Sequence, residues 1–138
     1  NLRTALETSQ AAEFVDKLPE REEHRIAQLG RNVSGGQKQR ISIARALARK
    51  PEILVFDDSF SALDYRTDAM VRKELAEKFK DTTKIIVAQR VGTIRHADKI
   101  IVLERGEIAG EGTHEELMAS CEVYREIAQS QLSAAESA

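Results

Sequence analysis

Apolar positions along the chain follow two rhythms, one of three and four residues and one of short unbroken runs. Leu2, Ala5, Leu6, Ala12, Phe14, Val15 and Leu18 have the spacing of helices that bury one face, and Pro19 ends the last of them, so residues 2 to 18 are expected to form a helical pair. From about Gly36 to Arg49 a further helix is expected, with Ile41, Ala44, Leu47 and Ala48 on one face and Lys38, Arg40, Arg45 and Arg49 mostly elsewhere; Lys50-Pro51 should end it. Residues 53 to 56 are continuously apolar, the pattern of a parallel strand covered on both faces. Next comes a helical stripe of Met70, Val71, Leu75 and Phe79, and then a second buried-strand pattern at residues 84 to 88. A third run at residues 99 to 103 turns through Glu104-Arg105-Gly106-Glu107 into a short strand around Ile108, a hairpin in which Gly106 supplies the positive φ. Thr113 precedes His114-Glu115-Glu116 as a helix cap, and Leu117, Cys121, Tyr124, Ala128 and Leu132 form the final stripe before a tail, residues 133 to 138, expected to fray. Strands and helices alternate, so the fold class is α/β.

Composition narrows the function classes. With 138 residues, 41% of them apolar and 32% charged, the chain has the length of one domain and can bury a core. A net charge of -2 argues against a dedicated nucleic-acid surface, so no nucleic-acid partner is expected. Cys121 is the single cysteine and reads as a buried structural thiol. His24, His96 and His114 lack zinc-ligand spacing and read as surface residues, and the charge run at residues 20 to 25 reads as a solvated connector. No stretch approaches the ~18 consecutive apolar residues of a membrane span, so any membrane association would come through another polypeptide or a part of the protein outside this chain. The sequence opens on Asn1 in the middle of a pattern and reads as the C-terminal portion of something longer.

Two stretches carry chemistry. In Asn32-Val33-Ser34-Gly35-Gly36-Gln37 a serine and two glycines open directly into a helix, leaving backbone N–H groups where the helix dipole favours an anion such as phosphate. By itself this reads more readily as the N-cap of an ordinary core helix. Further on, the apolar run ends in Asp57 and Asp58, at the carboxyl end of a predicted parallel strand, where α/β sheets bind ligands. Two carboxylates there could also be a solvated turn.

Together, in this order and spacing, the stretches resemble the ATP-binding cassette (ABC) ATPase family, whose signature is LSGGQ and whose Walker B strand ends in Asp-Glu before a Ser-Ala-Leu-Asp loop, here Ser61-Ala62-Leu63-Asp64. The resemblance implies a partial P-loop NTPase core with mostly parallel strands plus a helical signature subdomain, divided into residues 1–50 and 51–138. It implies ATP and Mg²⁺ as cofactors, with Asp57 at the magnesium and Ser34, Gly35, Gly36, Gln37 and Asp64 at nucleotide. Asp58 stands where the family has glutamate to orient the attacking water. Its arm is one methylene shorter, and misplacement by about 1 Å can cost on the order of 100-fold in rate. Gln89 stands where similar exporters have a histidine; glutamine can donate a hydrogen bond to a γ-phosphate but cannot become cationic near neutral pH. Nothing matches G-x-x-x-x-G-K-[ST], the phosphate-cradling loop, so the chain alone is expected to be inactive.

In the family two ATPase domains close head to tail around ATP, so an intact signature beside an altered Asp58 and Gln89 resembles one subunit of a heterodimeric exporter with one hydrolytic site and one that mainly holds ATP. The partners implied are a second ATPase subunit and transmembrane domains, met by residues 26 to 30 with Gln28 as the polar contact, at the cytoplasmic face of a membrane. Two alternatives remain open: a soluble ABC ATPase of DNA maintenance or translation, and a non-hydrolytic regulatory cassette.

Overall fold

The computed structural model describes residues 1–137, which form two compact units, one spanning Asn1–Val87 and a second from Ala88 onward. In the first, the helical pair is present as α1 (Leu2–Thr8) and α2 (Ala12–Val15), followed by single 3₁₀ turns at Arg21–Glu23 and Gln28–Gly30, then α3 (Gly35–Leu47), β1 (Ile53–Asp57), α4 (Tyr65–Lys78) and β2 (Thr83–Val87). β1 and β2 pair in parallel from Ile53↔Thr83 to Asp57↔Val87, and α4 is the crossover that parallel pairing requires. The core gathers Leu6, Ile43, Leu47, Leu54, Phe56, Phe60, Val71 and Leu75, with α1 against α3 and α4.

The second unit contains α5 (Val91–Ile94), β3 (Ile100–Glu104), β4 (Glu107–Gly112), α6 (His114–Ser120) and α7 (Glu122–Ser137). β3 and β4 form the expected hairpin; Arg105 (φ 51) and Gly106 (φ 81) both take left-handed conformations, which suits the tight turn between twisted strands. Its core is Val91, Ile100, Val102, Leu117, Cys121 and Tyr124, so the thiol is buried as expected. Among the described residues no helix is long and apolar enough to cross a membrane.

Several expectations need correction. β1 and β2 are buried on one face only: Leu54 and Phe56 are inside, while Ile53, Val55, Ile85 and Val87 are each more than half exposed. A continuous apolar run reports two faces able to be covered, and within this chain only one is. On α3 the buried residue is Ile43 rather than Ile41, and on α4 Met70 faces out while Asp68, paired with Arg72 at 2.6 Å, takes an inward position. The final stripe is two helices, because Cys121 adopts an extended backbone (φ -113, ψ 107), and Leu132 is exposed. The α7 backbone is helical through Ser137, within the stretch expected to fray; Ala138 lies outside the described residues. Of the histidines only His96 is exposed; His114 is half-buried, its Nδ1 2.7 Å from the Tyr124 hydroxyl.

Candidate functional site

The start of α3 is fixed by its own sequence. Ser34 has extended backbone (φ -70, ψ 167); its hydroxyl accepts from the Gln37 N–H at 3.2 Å, while the Gln37 side-chain oxygen accepts from the Ser34 N–H at 2.9 Å. This reciprocal capping box is worth about 1 kcal/mol and spends the Ser34 and Gln37 amides on the fold. It leaves Gly35 and Gly36, whose N–H groups at the first two helical positions have no intrahelical partner. The N–H groups that the turn leaves open are therefore those of the two glycines. Ser34 and Gln37 hold the frame.

The glycines lie against the loop that follows β1. A side chain on Gly36 would place Cβ 3.0 Å from the Ala62 carbonyl oxygen, whereas one on Gly35 would meet only the Ala62 methyl at 3.7 Å. Neither has a positive φ, so close approach rather than backbone freedom is what calls for glycine at position 36.

β1 carries Asp57 to its carboxyl end, exposed. Asp58 extends the ladder by one bond, its N–H donating to the Val87 carbonyl at 3.0 Å, and then turns the chain with φ 53. That left-handed conformation is uncommon for a residue with a Cβ, and aspartate is among the side chains that tolerate it best. The Asp58 carbonyl accepts from the Gln39 amide at 3.0 Å and from the Ser61 hydroxyl at 3.3 Å. Asp64 closes the loop as the N-cap of α4, its carboxylate accepting from the Thr67 N–H at 2.6 Å; that bond and the Thr67 side chain, with Arg40 and Arg66 nearby, hold its pKa below the usual 3.8.

Ser34, Gly35, Gly36, Gln37, Asp57, Asp58 and Asp64 thus all belong to the first unit, the signature turn packing on the loop after the acidic strand end. Gln89 belongs to the second, where its side chain is exposed and its carbonyl accepts from the Gln131 amide at 2.5 Å. The Gln131 side-chain oxygen accepts from the Val91 N–H at 2.8 Å, so one residue of α7 spans the backbone on both sides of Arg90. Sequence reading missed Gln39 and Gln131. Neither lies in a spacing pattern with its partners, which are 19 to 23 and 40 to 42 residues away.

Among the described residues no cluster of three or more His, Cys, Asp or Glu side chains could enclose a metal. The donor set fits magnesium bound in the usual open way, through one or two carboxylates with the remaining positions on phosphate and water, and Asp57 is the carboxylate this chain offers.

The segment before the signature is pinned by Asn32, which accepts from the Ala27 N–H at 3.0 Å and donates to the Arg25 carbonyl at 3.2 Å. Ile26, Leu29, Gly30, Val33, Lys38, Ile41, Ser42 and Arg45 line an open groove of ≈ 260 Å³, with Leu29 77% exposed.

The family profile described as ABC transporter matches residues 3–61. A Mycoplasma genitalium protein named as an ABC transporter ATP-binding protein is 45% identical over 130 residues, covering 94% of this chain and 21% of that protein. A Bacillus subtilis protein named as a multidrug export ATP-binding/permease protein is 45% identical over 114 residues, covering 83% of this chain and 20% of its own length. Among solved structures, a bacterial ABC exporter with ATP bound superposes with a TM-score of 0.90 at 35% identity, over 94% of this chain and 23% of that one. The chain spans about a fifth of the length of these relatives.

Proposed function

Because the chain belongs to the ABC transporter family as the C-terminal part of its ATP-binding domain, we propose that it serves an exporter that couples ATP binding and hydrolysis to transport. The carrying observation is the contact inside the first unit between the Ser34-capped turn and the loop after Asp57-Asp58. Phosphoryl transfer needs positioning and charge neutralisation more than covalent chemistry. In this reading Asp57 holds Mg²⁺ and Asp58 orients the water. Gln89 donates to the γ-phosphate, and Asp64, with the Ser34 to Gln37 turn, serves nucleotide held between two domains. ATP supplies the γ-phosphoryl group.

The site that Asp58 serves is degenerate in this proposal, for the reach and proton-sharing reasons given above, and the partner is a second, non-identical ATPase subunit whose site the signature completes. The groove beside Leu29, its apolar rim exposed and the segment leading into it pinned by Asn32, suits a helix end from transmembrane domains, which would hold the chain at the cytoplasmic face of a membrane. Residues 1–50 act as the helical signature part and residues 51–138 as the core part.

The test is ATP hydrolysis by the full-length protein purified with its partner subunit. Magnesium-dependent turnover that Asp57→Asn alters is expected. Turnover by an assembly with no transmembrane segment in either the full-length protein or any subunit that copurifies with it would remove the exporter assignment, and no turnover at all would remove the ATPase.

A further inference from the structure

Gln39 lies two residues beyond the signature, on α3, and both ends of its side-chain amide are engaged. Nε2 donates to the Asp58 carbonyl at 3.0 Å and to the Ser61 hydroxyl at 3.0 Å, while Oε1 accepts from the Ala62 N–H at 2.8 Å. Ser61 closes the cycle by donating to the same Asp58 carbonyl. Reversing the amide would face oxygen to the Asp58 carbonyl and NH₂ to the Ala62 N–H, so the network fixes its orientation.

We infer that Gln39 is a positioning residue that holds Asp58 in its left-handed conformation and locks the Asp58 to Ala62 loop to the signature helix. Three features support this. The Asp58 backbone sits at φ 53, a conformation that persists only where surroundings impose it. Its N–H is tied to β2 and its carbonyl to α3, so the residue is clamped from two elements. The third bond, to Ala62, fixes the carbonyl against which Gly36 packs. A shift of α3 is therefore transmitted to Asp58 through one side chain. The inference deepens the proposed function, since the helix whose N-terminus would face one nucleotide steers the carboxylate that serves another.

Two variants separate the bonds. Gln39→Met matches the length and removes all three; Gln39→Glu keeps an acceptor for the Ala62 N–H but sets a carboxylate oxygen against the Asp58 carbonyl. Amide exchange measured by NMR on the 138-residue chain should be about tenfold faster at Ala62 in Gln39→Met, the scale of one lost hydrogen bond, and near wild type at Ala62 in Gln39→Glu, with the Asp58 amide signal displaced in both. Unchanged Ala62 exchange and an unmoved Asp58 signal would overturn the inference. Should Gln39→Met not fold, Gln39→Glu carries the same test through Asp58.

In the full-length assembly with the partner subunit's site inactivated, the residual kcat should fall roughly tenfold with KM for ATP little changed, because a carboxylate is misaimed while nucleotide contacts stay. A rise in KM with unchanged kcat would overturn the positioning role. Absence of ATPase in the wild-type assembly would sink the proposed function instead, leaving the exchange measurement to decide the role of Gln39 in the fold.

Discussion

Asp58 concentrates the chemistry that the sequence makes legible and the conformation that it does not. Its carboxylate at a strand end is read directly from the sequence, and its shortness relative to glutamate comes from the family resemblance. Its φ of 53 is legible in neither, because nothing local demands it: the conformation is set by Val87 on β2 and Gln39 on α3. Asp58→Glu should therefore have two opposing effects. Reach toward the water is restored, while a longer side chain in the left-handed region destabilises the fold by about 1 kcal/mol, readable as a lower unfolding midpoint. In the proposed heterodimer, with the partner subunit's site inactivated, Asp58→Glu and Gln89→His combined should raise turnover well above either alone, since each single change leaves the other defect. Equal rates for the double and the single replacements would locate the block elsewhere.

Elements differ in how far they can be read from sequence, according to how local their determinants are. The start of α3 has local determinants, since Ser34 and Gln37 are three residues apart and satisfy one another; the helix, expected from about Gly36, begins at Gly35, and Ser34→Ala should cost about 1 kcal/mol in unfolding free energy. The N-cap of α4 follows the same logic and adds a pH dependence. With its folded-state pKa held below 3.8, Asp64 contributes stability that is present above that value and is lost as pH falls through the lower folded pKa. Asp16, lowered mainly by its bonds to Arg3, acts in the same direction. Asp64→Asn keeps a competent cap and removes one of these titrations, so its urea midpoint should fall less steeply below about pH 4 than that of the wild type. Parallel acid limbs would contradict the assignment. Gln131 marks the opposite extreme, since its partners at Gln89 and Val91 meet it only once α7 has packed beside α5. Gln131→Leu leaves a carbonyl and an N–H without their partner and should destabilise by about 1 to 3 kcal/mol, seen in thermal unfolding.

At the scale of the molecule, the sequence conveyed the order of strands and helices but not how many faces the sheet would cover. An apolar run looks the same with one layer against it or two, and Ile53, Val55, Ile85 and Val87 are left open here. The assembly-level claim, that the signature turn serves a nucleotide across a domain pair, is best tested where the fold is indifferent. Gly35 is that position. Its missing Cβ would make only an ordinary 3.7 Å contact with Ala62, and its φ is not positive, so Gly35→Asp introduces no steric strain. A carboxylate in the first helical turn is favoured by the dipole, so the unfolding midpoint of the 138-residue chain should be unchanged or slightly raised. Against a γ-phosphate the same charge is repelled. At ~4 Å and an effective dielectric near ~20 the interaction is about 4 kcal/mol, close to a 1,000-fold loss. Gly36→Ala supplies the contrast, because its methyl presses on the Ala62 carbonyl at 3.0 Å and should perturb the loop whether or not nucleotide is present. Steady-state ATPase of the proposed full-length assembly should therefore collapse in Gly35→Asp while the chain's own fold is intact. Near-normal turnover in a folded Gly35→Asp protein would mean that the turn does not face a phosphate, and the head-to-tail arrangement would have to be abandoned.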